Sequence, residues 1–251
     1  MINNQQDETS EASWPEGTII GIAQPLTWPY IHSYTYLSIL AMDKPDIIVL
    51  DTPRSGGLAE KREAQTKAAL QLGCSHIAYL DGDMIFPKTS LLDMMKVLQD
   101  GADLASIVCY RGAPPWDPLI WGGPNDELLK PFEDYKFGDL VDATAVGCGC
   151  LLAKREVFDV VSSPWFQVCE VREGKKVIRR GEDTYFTRKC TNAGLSLKVI
   201  TAYDIGHLRD ISIDRDVFLM GQVLKKFGSL EAVIRFLKLN NFAERSEAEE
   251  E

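Results

Sequence analysis

Two carboxylates separated by one residue stand where a strand is predicted to end. Asp81-Gly82-Asp83 directly follows His76–Leu80, an apolar run with the composition of a buried strand. Acidic residues at the carboxyl end of such a strand point into the crevice where open α/β sheets bind ligands. Carboxylate oxygens suit Mg²⁺ or Mn²⁺, which can bridge to phosphate oxygens, and Gly82 allows close approach of the backbone. The alternative interpretation is a simple Asp-Gly turn.

The elements around this pair alternate between short apolar strands and amphipathic helices, which is typical of an α/β fold. Strands are predicted at 18–23, 46–50, 76–80, 103–110, 143–153 and 197–201. Helices are predicted at 32–42, 60–72, 90–99, 155–161 and 181–194, and a hairpin at 165–180. In the second helix, Ala64, Ala68 and Leu72 are spaced four apart and predict one apolar face.

The chain of 251 residues is long enough to bury one sizeable core. We expect a single domain over 17–242, between a disordered acidic tail at 1–16 and a second acidic tail at 243–251. Residues 111–140 are rich in proline and glycine and lack periodicity, so they are predicted to be a functional loop insert. Two further helices are expected over 214–240.

The net charge of −10 is concentrated at the ends of the chain. Residues 1–16 and 244–251 each carry −4, which leaves about −2 for the body. No extended basic surface is indicated, so nucleic acid is not expected as a partner. No apolar run reaches the roughly 18–20 residues that span a bilayer, and the polar N-terminus differs from a signal peptide. These features favour a cytoplasmic protein whose six cysteines are buried thiols.

Three segments resemble glycosyltransferases of the GT-A fold that are related to family 2, including bacterial and phage forms. They are KREAQTKAALQLGCSHIAYLDGDMIFP, VGCGCLLAKREVFD and RRGEDTYFTRKCTNAGL, and the resemblance extends over about residues 18–210. It implies a Rossmann-like three-layer sandwich with a mixed, mostly parallel central sheet. It also implies a UDP- or GDP-sugar as the donor, and Mn²⁺ or Mg²⁺ as the cofactor.

In this family the first Asp of the D-x-D motif approaches the ribose or a metal-bound water, and the last Asp ligates the metal. The resemblance therefore places Asp81 and Gly82 at the nucleotide sugar and assigns metal ligation to Asp83, with Asp81 as a further candidate ligand. A histidine after the late strand often completes the site, and His207 occupies that place. A neutral imidazole beside a carboxylate suits Mn²⁺, whereas a lone histidine is more often structural.

The acidic pair at the predicted start of helix 181–194 has a second implied role. In inverting members of the family, an Asp in the corresponding pair is the general base, which the resemblance assigns to Asp183, with Glu182 as the substitute. A base must lie within hydrogen-bond reach of the acceptor hydroxyl whose proton it takes. The alternative is that Asp183 caps the helix, and both roles can hold at once.

Further nucleotide-sugar-binding candidates follow the first two strands. Gln24 and Pro25 end the first strand, where this fold usually receives the nucleotide base. Asp51 ends the second strand, where a carboxylate can hydrogen-bond the base or the ribose. Arg54 and Arg62 are expected near the phosphates, because a guanidinium matches phosphate geometry. For each of these residues, a solvated surface position is the alternative.

These predictions favour metal-dependent transfer of a sugar to a hydroxyl of a saccharide or another acceptor, with inversion if Asp183 is the base. A retaining relative and a non-catalytic nucleotide-sugar-binding protein remain open. So does a sugar-nucleotide nucleotidyltransferase, although that class normally has a glycine-rich loop after the first strand, where this sequence has AQPLTWPY. Trp116 and Trp121 of the insert are expected either to stack on sugar rings or to anchor the loop.

Overall fold

A computed structural model of the chain describes residues 14–27, 31–112, 116–122, 132, 135–173, 176–209, 223, 225–229 and 232. The chain divides into two units, Met1–Leu208 and Arg209–Glu251. Most of the helices predicted over 214–240, and nearly all of both acidic tails, lie outside the described residues. In the described part of the second unit, the Ala232 N–H donates to Ser229 Oγ at 3.1 Å.

The described residues of the first unit form twelve strands and five helices. The strands are β1 (Ile19–Ala23), β2 (Asp46–Val49), β3 (His76–Leu80), β4 (Met84–Ile85), β5 (Leu104–Cys109), β6 (Ile120–Trp121), β7 (Leu140–Asp142), β8 (Ala145–Val146), β9 (Cys150–Lys154), β10 (Cys169–Glu173), β11 (Lys176–Arg180) and β12 (Leu197–His207). The helices are α1 (Ser33–Ala41), α2 (Leu58–Gln71), α3 (Ser90–Gln99), α4 (Val157–Val160) and α5 (Glu182–Asn192).

Eight strands form one mixed sheet in the order β2-β1-β3-β9-β5-β12-β4, with β7 also paired to β12. β2, β1 and β3 are parallel to one another, and β5 is parallel to β12. β9 is antiparallel to both β3 and β5 and therefore joins the two parallel groups. Because two antiparallel steps restore the direction, β2, β1, β3, β5 and β12 all end at the same edge of the sheet.

The core consists of two clusters, one on each face of the sheet, because successive side chains of a strand point to opposite faces. In β3, Ile77 and Tyr79 belong to the cluster that includes residues of α2, α4 and α5. Ala78 and Leu80 belong to the cluster that includes residues of α3. All four side chains are fully buried, as expected for a strand covered on both faces. The predicted α/β sandwich with a mostly parallel central sheet is confirmed.

Helix α2 buries a polar face instead of the apolar face that its sequence predicted. Its buried residues are Lys61, Arg62, Gln65, Thr66 and Ala69. Of the predicted face, Ala68 packs against the core, but Ala64 is exposed and Leu72, just beyond the helix, is 56% exposed, so most of that face was wrong. Each of the four polar side chains forms at least one hydrogen bond, which offsets part of the loss of water. Gln65 Nε2, for example, donates to Thr52 Oγ1 at 3.1 Å.

Two predicted elements differ from those in the structure. The late strand continues to His207, after an irregularity between Ile200 and Ile205. The region 143–153 is two strands, since β8 ends at Val146 and β9 begins at Cys150. Glycines at 147 and 149 interrupt it, because glycine packs poorly inside a strand. The predicted hairpin is present as the antiparallel pair β10–β11.

All six cysteines are thiols without disulfide partners, and five of them are buried, as the sequence predicted. Among the helices that the structure describes, none has the length and apolar composition that crossing a bilayer requires.

Candidate active site

The carboxyl ends of the parallel strands carry most of the predicted site residues. Gln24 follows β1, Asp51 lies just beyond β2, Asp81 follows β3, and His207 ends β12. These strands run in one direction, so their ends lie along one edge of the sheet. This edge is where open α/β sheets bind ligands.

A strand of two residues brings Asp83 to His207. β4 directly follows Asp83 and pairs antiparallel with the end of β12, so that Met84 lies opposite His207. The Leu208 N–H donates to the Asp83 carbonyl at 2.8 Å and extends this pairing. As a result, Asp83 Oδ2 lies 3.5 Å from His207 Nε2.

The backbone of Tyr110 orients the ring of His207. His207 Nδ1 lies 2.8 Å from the Tyr110 carbonyl oxygen. A carbonyl only accepts hydrogen bonds, so Nδ1 carries the proton and donates it. In the neutral ring, Nε2 then presents a lone pair towards Asp83. A ring N–H bound to a carbonyl is the usual outer contact of a histidine that ligates a metal through its other nitrogen.

Asp83 and His207 fit a divalent cation as a pair of protein ligands. A carboxylate and an imidazole suit Mn²⁺, and Mg²⁺ commonly combines one or two carboxylates with phosphate and water. In the described part of the chain, no group of three or more His, Cys, Asp or Glu side chains is arranged to hold a metal. Asp81, the other predicted ligand, directs Oδ1 to Arg62. A cation at this pair would therefore take its remaining ligands from substrate and water.

A buried guanidinium links the two acidic segments of the sequence. Arg62 is 2% exposed, which excludes a solvated position. Its Nη2 donates to Asp81 Oδ1 at 2.6 Å, and its Nη1 donates to Glu182 Oε1. Burial would lower the pKa of Arg62, but Asp81 and Glu182 raise it above its ordinary value. Arg62 thus lies among carboxylates, whereas the sequence predicted a position near the phosphates.

The group around Arg62 has more negative than positive charge. The pKa of the Arg62 guanidinium is raised by three carboxylates, those of Asp81, Glu182 and Asp183. The charge of Asp83 in turn raises the pKa of Asp81. Burial raises the pKa of Asp81 against the opposing effect of Arg62, and Asp83 adds to the rise. A divalent cation at Asp83 would reduce this excess of negative charge.

Asp183 lies in the first turn of α5, whose N-cap is Gly181, so it does not cap the helix. Its Oδ1 accepts the Thr184 N–H at 2.6 Å. A Cβ at residue 181 would lie 2.5 Å from this oxygen, so the close approach requires glycine. Burial raises the pKa of Asp183 to about 6 against the opposing effect of Arg62, and Glu182 adds to the rise. A carboxylate with this pKa is mostly ionised at neutral pH and more basic than an ordinary one.

Glycines of the VGCGC segment lie next to the carboxylates. A Cβ at Gly147 would lie 3.6 Å from Asp183 Oδ2, and one at Gly149 would lie 3.7 Å from Asp81 Oδ2. The Asp81 N–H donates to the Gly149 carbonyl at 3.1 Å. The segment therefore contacts both the end of β3 and the start of α5.

Two buried thiols adjoin the same carboxylates. Burial raises the pKa of Cys109 to about 12, and Asp81 and Asp183 add to the rise. Burial also raises the pKa of Cys148 well above its ordinary value, against the opposing effect of Arg62. Both shifts favour the neutral thiol over the thiolate, which is the nucleophilic form.

A cavity of about 880 Å³ lies at the ends of β1 and β2. Gln24, Asp51 and Arg54, three of the predicted nucleotide-binding residues, line it together with Lys61. Pro25 is buried and does not line it. The Gln24 Nε2 atom is buried and has no hydrogen-bond partner among the described residues. The structure thus brings three predicted residues from two segments, the ends of β1 and β2, into one cavity.

The two tryptophans of the insert differ in environment. Trp121 belongs to β6, which pairs with β8, and is 8% exposed. The Thr144 hydroxyl donates to its carbonyl at 3.0 Å, so Trp121 anchors the insert. Trp116 is 57% exposed and has a φ of 60°. Residues 113–115, 123–131 and 133–134 of the insert lie outside the described residues.

Sequence reasoning missed several residues of the site. Lys61 lines the cavity, whereas the sequence pointed to its neighbour Arg62 as a phosphate-binding residue, because a guanidinium matches phosphate geometry. The Tyr110 carbonyl contributes through the backbone, which no side-chain pattern reveals. The close approach of Gly147 and Gly149 to the carboxylates could have been found from the sequence, because these two glycines interrupt an apolar stretch where a strand was predicted.

No family model and no curated protein matches the sequence. The structure is similar to the crystal structure of A197 from STIV, a virus protein with a glycosyltransferase-like fold. The TM-score is 0.56 and the sequence identity is 16%, over 77% of this chain and 86% of that chain. At this identity the similarity concerns the fold alone, which in this chain is a mixed α/β sandwich.

Proposed function

We propose that this chain is a glycosyltransferase that moves a sugar from a UDP- or GDP-sugar to a hydroxyl of a saccharide or another acceptor. One observation carries the proposal: two segments far apart in the sequence each bring an acidic group to the same edge of the sheet. Asp83 meets His207 at 3.5 Å, and Arg62 connects Asp81 with Glu182, next to Asp183. The glycosyltransferase-like fold supports this interpretation.

The donor nucleoside would occupy the cavity lined by Gln24, Asp51 and Arg54. From there the Asp81-Gly82-Asp83 turn is close, because Leu26 lines the cavity and packs against Gly82. A Cβ at residue 82 would lie 2.7 Å from Leu26 Cδ2, so glycine permits this contact. The diphosphate would extend along the turn towards Asp83 and His207.

Asp83 and His207 would hold Mn²⁺ or Mg²⁺ together with phosphate oxygens. A cation so bound offsets the negative charge that develops on the departing nucleoside diphosphate. The pairing of β4 with β12 and the contact of His207 with the Tyr110 carbonyl position this pair, which supports the assignment.

Asp183 would act as the general base. Its Oδ1 is held by the Thr184 N–H, which leaves Oδ2, on the side of Gly147, to take the proton of the acceptor hydroxyl. The acceptor oxygen then bonds to the anomeric carbon while the bond from that carbon to the diphosphate oxygen breaks. The electron pair of that bond leaves with the nucleoside diphosphate. Attack from the far side inverts the anomeric centre.

A donor screen tests this function. The chain would be incubated with UDP-, GDP-, CMP- and dTDP-sugars and Mn²⁺, and scored by thermal shift and by nucleotide release. We expect one diphosphate donor to stabilise the protein and to be hydrolysed slowly, with EDTA abolishing the release. Stabilisation without any release, with or without candidate saccharide acceptors, would instead indicate a nucleotide-sugar-binding protein.

The stereochemistry of the product tests the role of Asp183 separately. For an active donor, we expect the product to have the anomeric configuration opposite to that of the donor sugar, as read by proton NMR. Retention of configuration would still be consistent with a glycosyltransferase, but it would show that Asp183 is not the general base of a single displacement.

A further inference from the structure

Lys61 is a buried lysine whose ammonium group has one hydrogen-bond partner among the described residues. Its side chain is 6% exposed, and its Nζ donates to the Leu26 carbonyl at 2.5 Å. Among the residues that the structure describes, no carboxylate forms an ion pair with it. An ammonium group has three N–H donors, so two of them have no protein acceptor in this part of the chain.

The adjacent residue shows how this helix holds a buried cation that has structural partners. Arg62 donates to two carboxylates, Asp81 and Glu182. Burying a charge without a counter-ion is unfavourable, whereas burying a hydrophobic side chain of similar size is not. A methionine would fill the space of Lys61 without that disadvantage. The ammonium is therefore best explained by a negatively charged ligand.

Lys61 is linked to the Asp81-Gly82-Asp83 turn through Leu26. It lines the cavity at the ends of β1 and β2. The residue that accepts its hydrogen bond, Leu26, packs directly against Gly82. An anion at Lys61 would thus be close to the turn that leads to Asp83 and His207.

The other residues of the cavity also favour an anion. Arg54 lines it and forms no ion pair with any described residue. Gln24 contributes a buried amide Nε2 that lacks an acceptor among the described residues. Asp51 is the one carboxylate among the lining residues, against two cations. The lining therefore has an excess of positive charge and of hydrogen-bond donors.

We propose that Lys61 binds the phosphoryl group nearer the nucleoside of the donor and thereby selects nucleoside diphosphates over nucleosides. This inference rests on the proposed function only for the identity of the ligand. The second phosphoryl group would lie towards Asp83 and His207, on the far side of Gly82. A ligand with two linked phosphoryl groups can contact both places, which a nucleoside cannot.

The test is isothermal titration of the full chain with UDP, GDP, uridine, guanosine and inorganic pyrophosphate in EDTA. Four proteins are compared: the natural chain, Lys61→Met, Lys61→Gln and Lys67→Met. Lys67 is on the same helix but 55% exposed, and it serves as the matched control. Lys61→Gln removes the charge and keeps a polar side chain with N–H donors, so it remains informative if Lys61→Met fails to fold.

We expect the natural chain to bind UDP or GDP more tightly than the nucleoside. Both Lys61 variants should lose about 10- to 100-fold in affinity for that diphosphate, as expected for a charge-assisted hydrogen bond. Their nucleoside affinity and the diphosphate affinity of Lys67→Met should stay within about twofold, which is the usual reproducibility of such a comparison. Lys61→Met should be at least as stable to heat as the natural chain, because it removes a buried charge.

Equal diphosphate affinity in the natural chain and in Lys61→Gln would overturn the assignment, even if sugar transfer were observed. A natural chain that binds nucleosides as tightly as diphosphates would overturn it as well. Conversely, Lys61-dependent diphosphate binding without turnover of any nucleotide sugar would support the assignment and remove the proposed transferase function.

Discussion

Two neighbouring parts of the site carry opposite charge. The cavity at the ends of β1 and β2 is lined by Lys61 and Arg54 against one carboxylate. Around Arg62, three carboxylates act on one guanidinium. Consecutive residues of a helix are rotated by about 100°, so α2 supplies one cation to each part. A phosphate ester bound with a metal ion suits such a pair of regions, because it presents negative charge to one and positive charge to the other.

The largest effect should come from the acidic part, on turnover. Asp183→Asn should reduce sugar transfer by about 10²- to 10⁴-fold, the usual contribution of a general base. Donor affinity should be little changed, because the amide keeps the shape of the side chain. Steady-state kinetics and donor titration measure the two quantities. Asp159→Asn, at an exposed residue of α4, is the control, and undiminished transfer in Asp183→Asn would disprove the base assignment.

The next largest effect concerns stability and contrasts the two adjacent cations. Arg62→Met should lower the free energy of unfolding by ~3–5 kcal/mol, because it leaves Asp81 and Glu182 partly buried without their counter-ion. Lys61→Met should cause no such loss. Urea denaturation of both variants measures the difference. If the two variants lost the same stability, the cations would have similar structural roles and the contrast between the regions would fail.

A smaller effect is expected on metal affinity. Asp83→Asn should weaken Mn²⁺ binding by at least about 10- to 100-fold, which is the loss typical of disturbing even an outer partner of a ligand. Thermal shift against Mn²⁺ concentration provides the measurement. Asp43→Asn, which changes an exposed ion pair with Lys88, is the control. Unchanged Mn²⁺ affinity in Asp83→Asn would show that the cation does not bind to Asp83 and His207.

The smallest effect is a pH dependence of stability that Asp183 should cause. Its pKa is about 6 in the folded chain against an ordinary value of 3.8, so between these values the folded state binds more protons. This group therefore stabilises the fold most below pH 4, and its contribution is lost as the pH rises through 6. The stability of Asp183→Asn relative to the natural chain should rise over that interval. Urea unfolding at pH 4.5 and at pH 7.5 (about one unit or more to either side of 6) tests this, and a constant difference would contradict it.

Apolar runs and helical periodicity were enough to predict most strands of the sheet and the helices around it. In β3 and α3, for example, composition and burial agree, because these elements pack on both sides or along one apolar stripe. The strand end that carries Asp81 could be located in the same way, whereas the late strand was predicted to end at Thr201 and in fact continues to His207. The contact between Asp83 and His207 could not be predicted, because the strand that creates it, β4, has only two residues and therefore shows no pattern.

Helix α2 shows why the rest of the site was hidden. A hydrophobic pattern identifies a buried face only when that face is apolar, and here four of the five buried residues are polar. Their burial depends on hydrogen-bond partners from other segments, such as Gln24 and Tyr79. Lys61 and Arg62 are both basic and adjacent, so the sequence had no means of assigning one to the cavity and the other to the carboxylates.

The pairing of β4 with β12 also has a kinetic consequence. About half of the chain lies between Asp83 and His207, so a large loop must close before the two side chains can meet. During synthesis, the pair forms only after residue 207 has emerged. On the proposed metal assignment, manganese added to a refolding reaction should therefore leave the folding rate nearly unchanged and slow the unfolding rate, because we expect this long-range contact to form late in folding.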